Sequence, residues 1–339
     1  MLVLGIESSC DETACALVRG GKEILSNVVR SQTDVHSPFG GVFPELACRR
    51  HIDALIPVIK TALEEAGVTP QEVELVAAAQ GPGLVGALLI GLNAAKTLSY
   101  AWEIPFIGVN HVEAHLFAAM MHLEQVALPA LGLVISGGHT FLVKIEELGK
   151  YQFLGGTQDD ALGEAFDKVA TLLGLPYPGG PHIEALAKRG DPRRFPFKPG
   201  HVKHHPLDFS FSGLKTNVLY TVKGQNISKD APLIITEGEK ADVAASFQEV
   251  ALKDVVSKTL LAAKLHHCST IFCGGGVSNN CRLKELFSSR SELTVHYPEK
   301  SLSLDNAAMI AGLGFHRHKS TGKSDGLDLE PLTRIPLGT

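Results

Sequence analysis

The chain has 339 residues, 45% hydrophobic and 20% charged, with a formal net charge of −5. This suits an ordinary globular protein of two domains, because one hydrophobic core stops growing at about 250–300 residues, and it excludes nucleic-acid binding by bulk charge alone. Six cysteines without a CxxC pair exclude a zinc ribbon and suit reduced thiols in the cytoplasm.

Leu2–Glu7 reads as a strand, Ser8-Ser9-Cys10-Asp11-Glu12-Thr13 as a polar tip and Ala14–Val18 as a second strand, together a β-hairpin. Met1 leads straight into the apolar run without the basic segment of a signal peptide. Carboxylates at such a tip, here Asp11 and Glu12, hold a cation, position a phosphate through it or act as a general base; a solvated turn accounts for them equally well. Leu75–Ala79 reads as a strand, Gly81-Pro82-Gly83 as a turn and Leu84–Ala101 as a buried helix. The most apolar stretch, Leu84–Ala95, falls short of the roughly 20 residues of a membrane span.

Ile104–Val109 reads as a strand leading into a helix that carries His111-Val112-Glu113-Ala114-His115. Imidazoles four residues apart share a helix face and make half of a metal site. The plainer alternative is one core and one surface histidine. A metalloprotease is disfavoured: Glu113 lies two residues beyond His111, about 200° around the helix, and so points away from a metal held by the pair.

About 130 residues after the first hairpin the pattern returns. Ala130–Ile135 is a strand, Ser136-Gly137-Gly138-His139-Thr140 a tip and Phe141–Ile145 a strand, which points to an internal duplication. Asp159, Asp160 and Asp167 lie in a polar helix start, where carboxylates meet ribose hydroxyls or simply cap. Pro176–Pro206 interrupts the rhythm with seven prolines and with Lys188, Arg189, Arg193, Arg194, Lys198 and Lys203, interleaved with Phe195 and Phe197. That segment reads as a solvated insertion or as a nucleic-acid contact. Thr270–Cys273 is a strand, Gly274-Gly275-Gly276 a turn, and a helix follows from Ser278 or Asn279; its first amides and dipole suit a phosphate. Neither glycine-rich tip matches GxxxxGK[ST] or GxGxxG. Ser303–His316 reads as the last helix, with Asp305 near its start, and the tail from Lys319 as an irregular surface segment.

Taken in order, Gly5–Thr13, His111–His115, Ser136–Thr140, Gly163–Lys168, Tyr177–Pro181, Phe209–Thr216 and Asp305–Ala311 resemble the motifs of the bacterial TsaD family. These are the tRNA N6-adenosine threonylcarbamoyltransferases, once labelled O-sialoglycoprotein endopeptidases. The resemblance runs from residue 2 to about residue 318. It implies an α/β fold of two duplicated domains of the actin-like ATPase, sugar kinase and Hsp70 (ASKHA) type, with a ligand cleft between them. The expected divisions are residues 1–110, residues 111–304 with the basic Pro-rich insertion near 176–206, and a C-terminal helix and tail, 305–339, returning to the first domain.

The resemblance implies transfer of a threonylcarbamoyl group from threonylcarbamoyl-adenylate to N6 of adenosine 37 in tRNAs reading ANN codons, with release of AMP. It implies a TsaB-type paralogue and a TsaE-type ATPase as partners, and no membrane. Carried over residue by residue, His111, His115 and Asp305 would hold one divalent metal, iron (Fe2+) or zinc. Val134, Ile135, Ser136, Gly137 and Gly138 would form one wall of the nucleotide site. Asp167, Gly180, Glu184 and Asn280 would complete it, the acids on ribose hydroxyls and Asn280 near the base. Asp11 and Glu12 match acidic residues of the family's first loop. Val134 stands where archaeal-type relatives place a tyrosine ligand, and Glu184 where the family usually has aspartate. Ser301-Leu302-Ser303-Leu304 replaces a Cys-Thr segment, and Cys281 follows Asn280 in place of arginine. The rival readings are an ATP-dependent small-molecule kinase of the same fold and a non-catalytic scaffold.

Overall fold

Two strands buried along their whole length, β1 (Leu2–Glu7) and β6 (Ala130–Ile135), each found one five-stranded sheet. Full burial on both faces is what helices packed on either side of a sheet impose. The computed structural model describes residues 1–225, 231–289, 293–335 and 337. The chain divides into two units, Met1–Val126 with Tyr297–Thr339, and Ala127–His296.

In the first unit β1 pairs antiparallel with β2 (Glu12–Arg19), which pairs with β3 (Glu23–Ser31). After α1 (Thr33–His36) and α2 (Pro44–Ala66), β4 (Leu75–Gly81) returns parallel to β1. Helix α3 (Val85–Trp102) leads to β5 (Phe106–Asn110), parallel to β4, and β5 runs into α4 (His111–Ala118). The sheet order is β3-β2-β1-β4-β5.

The second unit repeats that order. β6, β7 (Thr140–Glu147) and β8 (Lys150–Gly156) form an antiparallel meander. Then come α5 (Leu162–Leu172), α6 (Gly179–Ala187), α7 (Ser212–Lys223) and α8 (Glu237–Leu265). β9 (Thr270–Gly274) lies parallel to β6; α9 (Cys281–Ser288) and β10 (Thr294–His296) complete the order β10-β9-β6-β7-β8. Two sheets of one topology are the duplication that the paired hairpins predict.

The last helix, α10 (Ala307–Thr321), packs on β1, β2 and β4 of the first sheet. Strand alternation sends Leu4 and Ile6 into the core with α2 and α3, and turns Gly5 toward α10. A Cβ on Gly5 would stand 2.4 Å from the Ala307 carbonyl oxygen and 2.9 Å from the Ala311 methyl. Glycine therefore sets how closely α10, and the loop before it, approaches β1.

Several expectations shift. The division falls at Val126/Ala127 and again at His296/Tyr297, so α4 and its histidines belong to the first unit. The last helix begins at Ala307, after Asp305, because Asn306 caps it: the Asn306 Oδ1 accepts from the Met309 N–H at 3.1 Å. A 3-10 turn, Gly276–Asn279, precedes α9, which starts at Cys281. The basic insertion contains α6 and is irregular beyond it. The tail lies along the ends of β5 and β4: the Asp325 N–H donates to the Phe106 carbonyl of β5 at 2.8 Å, and the Leu332 N–H to the Gln80 carbonyl of β4 at 2.9 Å. No helix among the described residues is long and apolar enough to cross a membrane.

Candidate active site

Asn110 ends β5 and starts α4, its Oδ1 accepting from the amides of Val112 at 2.9 Å and Glu113 at 3.1 Å. This cap places His111 and His115 on successive turns, with ring centroids 4.7 Å apart. Asp305 arrives from the loop before α10. The Asn306 Nδ2 pins that loop by donating to the carbonyls of Leu302 at 3.0 Å and Leu304 at 2.8 Å. Ligand atoms of His111, His115 and Asp305 lie within 4.8 Å of one another, the metal-competent group of three among the described residues.

The donor geometry fits a cation. Nε2 of His115 is 3.0 Å from Oδ1 of Asp305 and Nε2 of His111 is 3.7 Å from it. Yet neither ring nitrogen of His115, a residue 1% exposed, makes a hydrogen bond. Buried polar atoms are almost always partnered. A lone pair and a carboxylate oxygen converging off the hydrogen-bond line leave room for a shared ion. Two imidazoles and one carboxylate are a donor set that suits a divalent transition metal.

Glu7, at the end of β1, was not singled out by spacing. It is fully buried; its Oε1 accepts from the Ser9 N–H at 2.5 Å and its Oε2 from Nδ1 of His111 at 2.8 Å. That bond keeps a proton on Nδ1 and turns Nε2 toward the ligand group, where a bound cation would displace the second proton. Burial disfavours the imidazolium of His111, but the carboxylates of Glu7 and Asp305 outweigh it and push its pKa up to about 9. The pocket is thus strongly cation-seeking. A carboxylate ending an otherwise apolar strand was the signal available for Glu7.

Asp11 and Glu12 occupy the hairpin tip beside this group. Burial, with the charges of Asp11 and Asp305 adding to it, raises the Glu12 carboxyl well above the usual range; the Ser31 hydroxyl donates to it at 3.0 Å. Burial and the same carboxylates raise the Cys10 thiol, which keeps it from serving as a thiolate. Glu113 does not join the ligand group.

The remaining carried-over residues come together in the second unit. Val134 and Ile135 are fully buried core side chains, so only their backbone can face a ligand. Gly137 and Gly138 are exposed, and a Cβ on either would meet nothing within 4 Å. A Cβ on Gly275 would stand 2.5 Å from the Ile135 carbonyl oxygen, and one on Gly163 2.6 Å from that of Ser136. The hairpin tip, the Gly-rich turn and the start of α5 are therefore in contact. Asp167 accepts from the Gly179 N–H at 2.7 Å, which ties α5 to the start of α6 and to Gly180. Glu184 accepts from the Cys281 N–H at 3.0 Å. Asn280 uses both ends of its amide: Oδ1 caps α9 at Leu283 and Nδ2 donates to Gln248 at 2.8 Å. A cavity of about 190 Å3 lined by Glu184, Lys188, Gln248 and Arg282 adjoins these groups.

Asp159 and Asp160 hold structure. Asp159 accepts from the amides of Phe211 and Ser212 at the start of α7, and Asp160 pairs with Lys168 and Lys215, each at 2.6 Å. Arg282 donates to both oxygens of Glu249 at 2.7 and 2.9 Å, locking α9 to α8. Those bonds hold the Glu249 carboxyl down to about 2. A depressed folded pKa gives stability that is present above the unfolded value of about 4.3 and lost as pH falls toward 2. We expect the denaturation midpoint of wild type to fall over that window faster than that of Glu249→Gln, measured by urea titration at each pH. Parallel profiles would exclude the linkage.

The TsaD family model, described as tRNA N6-adenosine threonylcarbamoyltransferase, matches residues 23–312. A protein of that name from Protochlamydia amoebophila is 60% identical, with 99% of this chain and 98% of that protein covered. One from Syntrophobacter fumaroxidans is 46% identical, covering 98% and 99%. Among solved structures, HypF of T. kodakarensis shares the fold at a TM-score of 0.62 and 12% identity, over 94% of this chain and 48% of that one. The ROK hexokinase of Thermus thermophilus does so at 0.52 and 17%, over 94% and 100%. Both sheets thus follow the ASKHA pattern, and by sequence the chain belongs to the TsaD family of tRNA N6-adenosine threonylcarbamoyltransferases.

Proposed function

We propose that this chain transfers the threonylcarbamoyl group of threonylcarbamoyl-adenylate to N6 of adenosine 37 in tRNAs reading ANN codons. Family membership supports the reaction; the convergence of His111, His115 and Asp305 around an unpartnered buried imidazole carries its metal-assisted form. A divalent ion, iron(II) or zinc, would supply Lewis acidity toward a carbonyl or phosphate oxygen. His111, His115 and Asp305 would hold it, and Glu7 fixes the ring of His111. The adenosine N6 bonds to the carbamoyl carbon, the carbon–oxygen bond to phosphate breaks, and AMP departs with that electron pair. Glu12, with Asp11 beside it at the hairpin tip, is assigned the N6 proton. An exocyclic amine is a poor nucleophile, so positioning supplies much of the rate.

The second unit is assigned the nucleotide. The tip Ser136–Gly138 and the turn Gly274–Gly276 would bring backbone amides to phosphate. Asp167 and Glu184 would take ribose hydroxyls. Gly137→Val adds a side chain where the protein itself has open space, so it should fold normally and lose nucleotide affinity. Calorimetry showing unchanged affinity would contradict the assignment.

Lys188, Arg189, Arg193, Arg194, Lys198 and Lys203 are all exposed, consistent with a phosphate contact for tRNA. Replacing Arg193 and Arg194 by alanine should flatten the salt dependence of tRNA binding by roughly one to two in the logarithmic slope, and raise KM for tRNA. An unchanged slope, with partners present and absent, would make the segment a solvated loop. We assign the TsaB-type paralogue to the exposed pairs Ile52/Ile56 on α2 and Val85/Leu89 on α3, since a paralogue of this fold carries the same helix pair for a pseudo-twofold contact. A TsaE-type ATPase would act with both.

The deciding experiment is mass analysis of tRNA nucleosides after incubation with threonine, bicarbonate, ATP, an adenylate synthase and both partners, each omitted in turn. Threonylcarbamoyl-adenosine formed equally without this chain would end the reading.

A further inference from the structure

We propose that Phe39 and Phe43 form a stacking platform for unpaired bases of the tRNA anticodon loop. The proposal rests on the transferase reading above and adds to it the surface that receives the RNA. The two rings are 61% and 47% exposed, with centroids 5.5 Å apart and planes inclined by 29°. Phe39 ends a 3-10 turn, Ser37–Phe39, and Phe43 directly precedes α2. The aromatic pair that the sequence offered for this role, Phe195 and Phe197, is half-buried, the Phe195 N–H donating to Ser246 on α8. Those rings stack on each other with centroids 5.9 Å apart but are half-buried; Phe39 and Phe43 are the more exposed pair.

A buried polar network braces the loop that carries them. Gln32 and His36 are 4% and 0% exposed. The Gln32 N–H donates to the Asp11 carbonyl at 3.1 Å, and its Nε2 donates to that of Ala47. The Phe43 N–H donates to Nδ1 of His36 at 3.3 Å, so Nε2 carries the proton and donates to Oε1 of Gln32 at 3.2 Å. Every polar atom of both side chains is used, and the chain of bonds runs from the Phe43 backbone to Asp11. The platform is thereby fixed to the hairpin tip whose Glu12 feels the charge of Asp305. Arg30 and Arg50, exposed guanidiniums on a recess shared with Asp34 and Asp53, border the same segment and offer contacts to phosphate.

The chemistry requires such a surface. N6 of an adenine stacked within the anticodon loop cannot reach a metal centre; the base must leave the stack, and its neighbours lose a partner. Aromatic rings replace that stacking without regard to base identity, each worth on the order of 10- to 100-fold in affinity. A single-stranded loop of the RNA substrate is therefore the occupant that fits two exposed, stacked rings.

The test uses the full chain with its partners, an unmodified transcript of an ANN-reading tRNA and its isolated anticodon stem-loop. F39A/F43A should raise KM for tRNA and the Kd for the stem-loop by about 100- to 10,000-fold, the product of the two rings' contributions. Metal content, nucleotide affinity and the salt slope should stay as in wild type, since no phosphate contact is removed. F39W/F43W should restore binding and F39L/F43L should not. Unchanged stem-loop affinity in F39A/F43A would overturn the proposal. So would full rescue by leucine, or loss of the paralogue instead of RNA, each of which assigns the pair to a protein contact. Failure of the wild-type chain itself to modify the transcript sinks the transferase reading, a result separate from either.

Discussion

Replacing both His111 and His115 by alanine should give a folded protein with almost no bound metal and no measurable transfer. Losing a group that merely orients a ligand costs about 10- to 100-fold in metal affinity, so removing two of three ligands should cost well beyond that. Activity should fall by at least the same factor. The fold should survive, because α4 is held by its Asn110 cap and by Val112, Leu116 and Phe117 in the core, not by the two imidazoles. Elemental analysis, circular dichroism and nucleoside mass analysis on one preparation would decide it. Full metal stoichiometry in a folded double variant would remove these residues from any metal site.

Glu7→Gln should weaken metal binding by about 10- to 100-fold while all three ligands remain. The glutamine amide can still accept from one of the two donors that Glu7 serves, the Ser9 N–H or Nδ1 of His111, but its NH2 group faces the other. His111 then loses either its fixed tautomer or its fixed ring plane. Glu7→Ala should lose metal and stability together, since it strands the buried Ser9 N–H at about 1–3 kcal/mol and leaves Nδ1 of His111 only the Ser9 hydroxyl at 3.3 Å. Competition with a chromogenic chelator reads the affinity and urea denaturation reads the stability. Equal metal affinity in Glu7→Gln and wild type would show that Glu7 supports the fold alone.

The two hairpins were legible because an apolar run, a polar tip and a second apolar run form a local pattern with the strand period. The His pair was legible because four residues span one helical turn. The strands β3 and β8 and the long helices α2 and α8 were not read out, although Pro44 and Gly67 at the ends of α2 and the Thr236/Glu239 capping box of α8 were local signals for the two helices. Phe195 and Phe197 are half-buried, and the more exposed pair, Phe39 and Phe43, was not read from the sequence, because periodicity does not report burial. Asp305 was known only through the family motif. Spacing by itself offers no reason why a carboxylate 190 residues after His115 should meet it.

Sequence alone therefore determined the family, the duplication, the paired imidazoles and the glycine-rich tips, each carried by contacts a few residues apart. Tertiary structure decided which carboxylates meet the imidazoles. Gly5 lets α10 close on β1 and Asn306 aims the loop before it, so Asp305 arrives from one side, while Glu7, at the end of β1, holds His111 from the other. Such convergence depends on backbone-to-backbone approach between segments some 300 residues apart, and no local period encodes that distance.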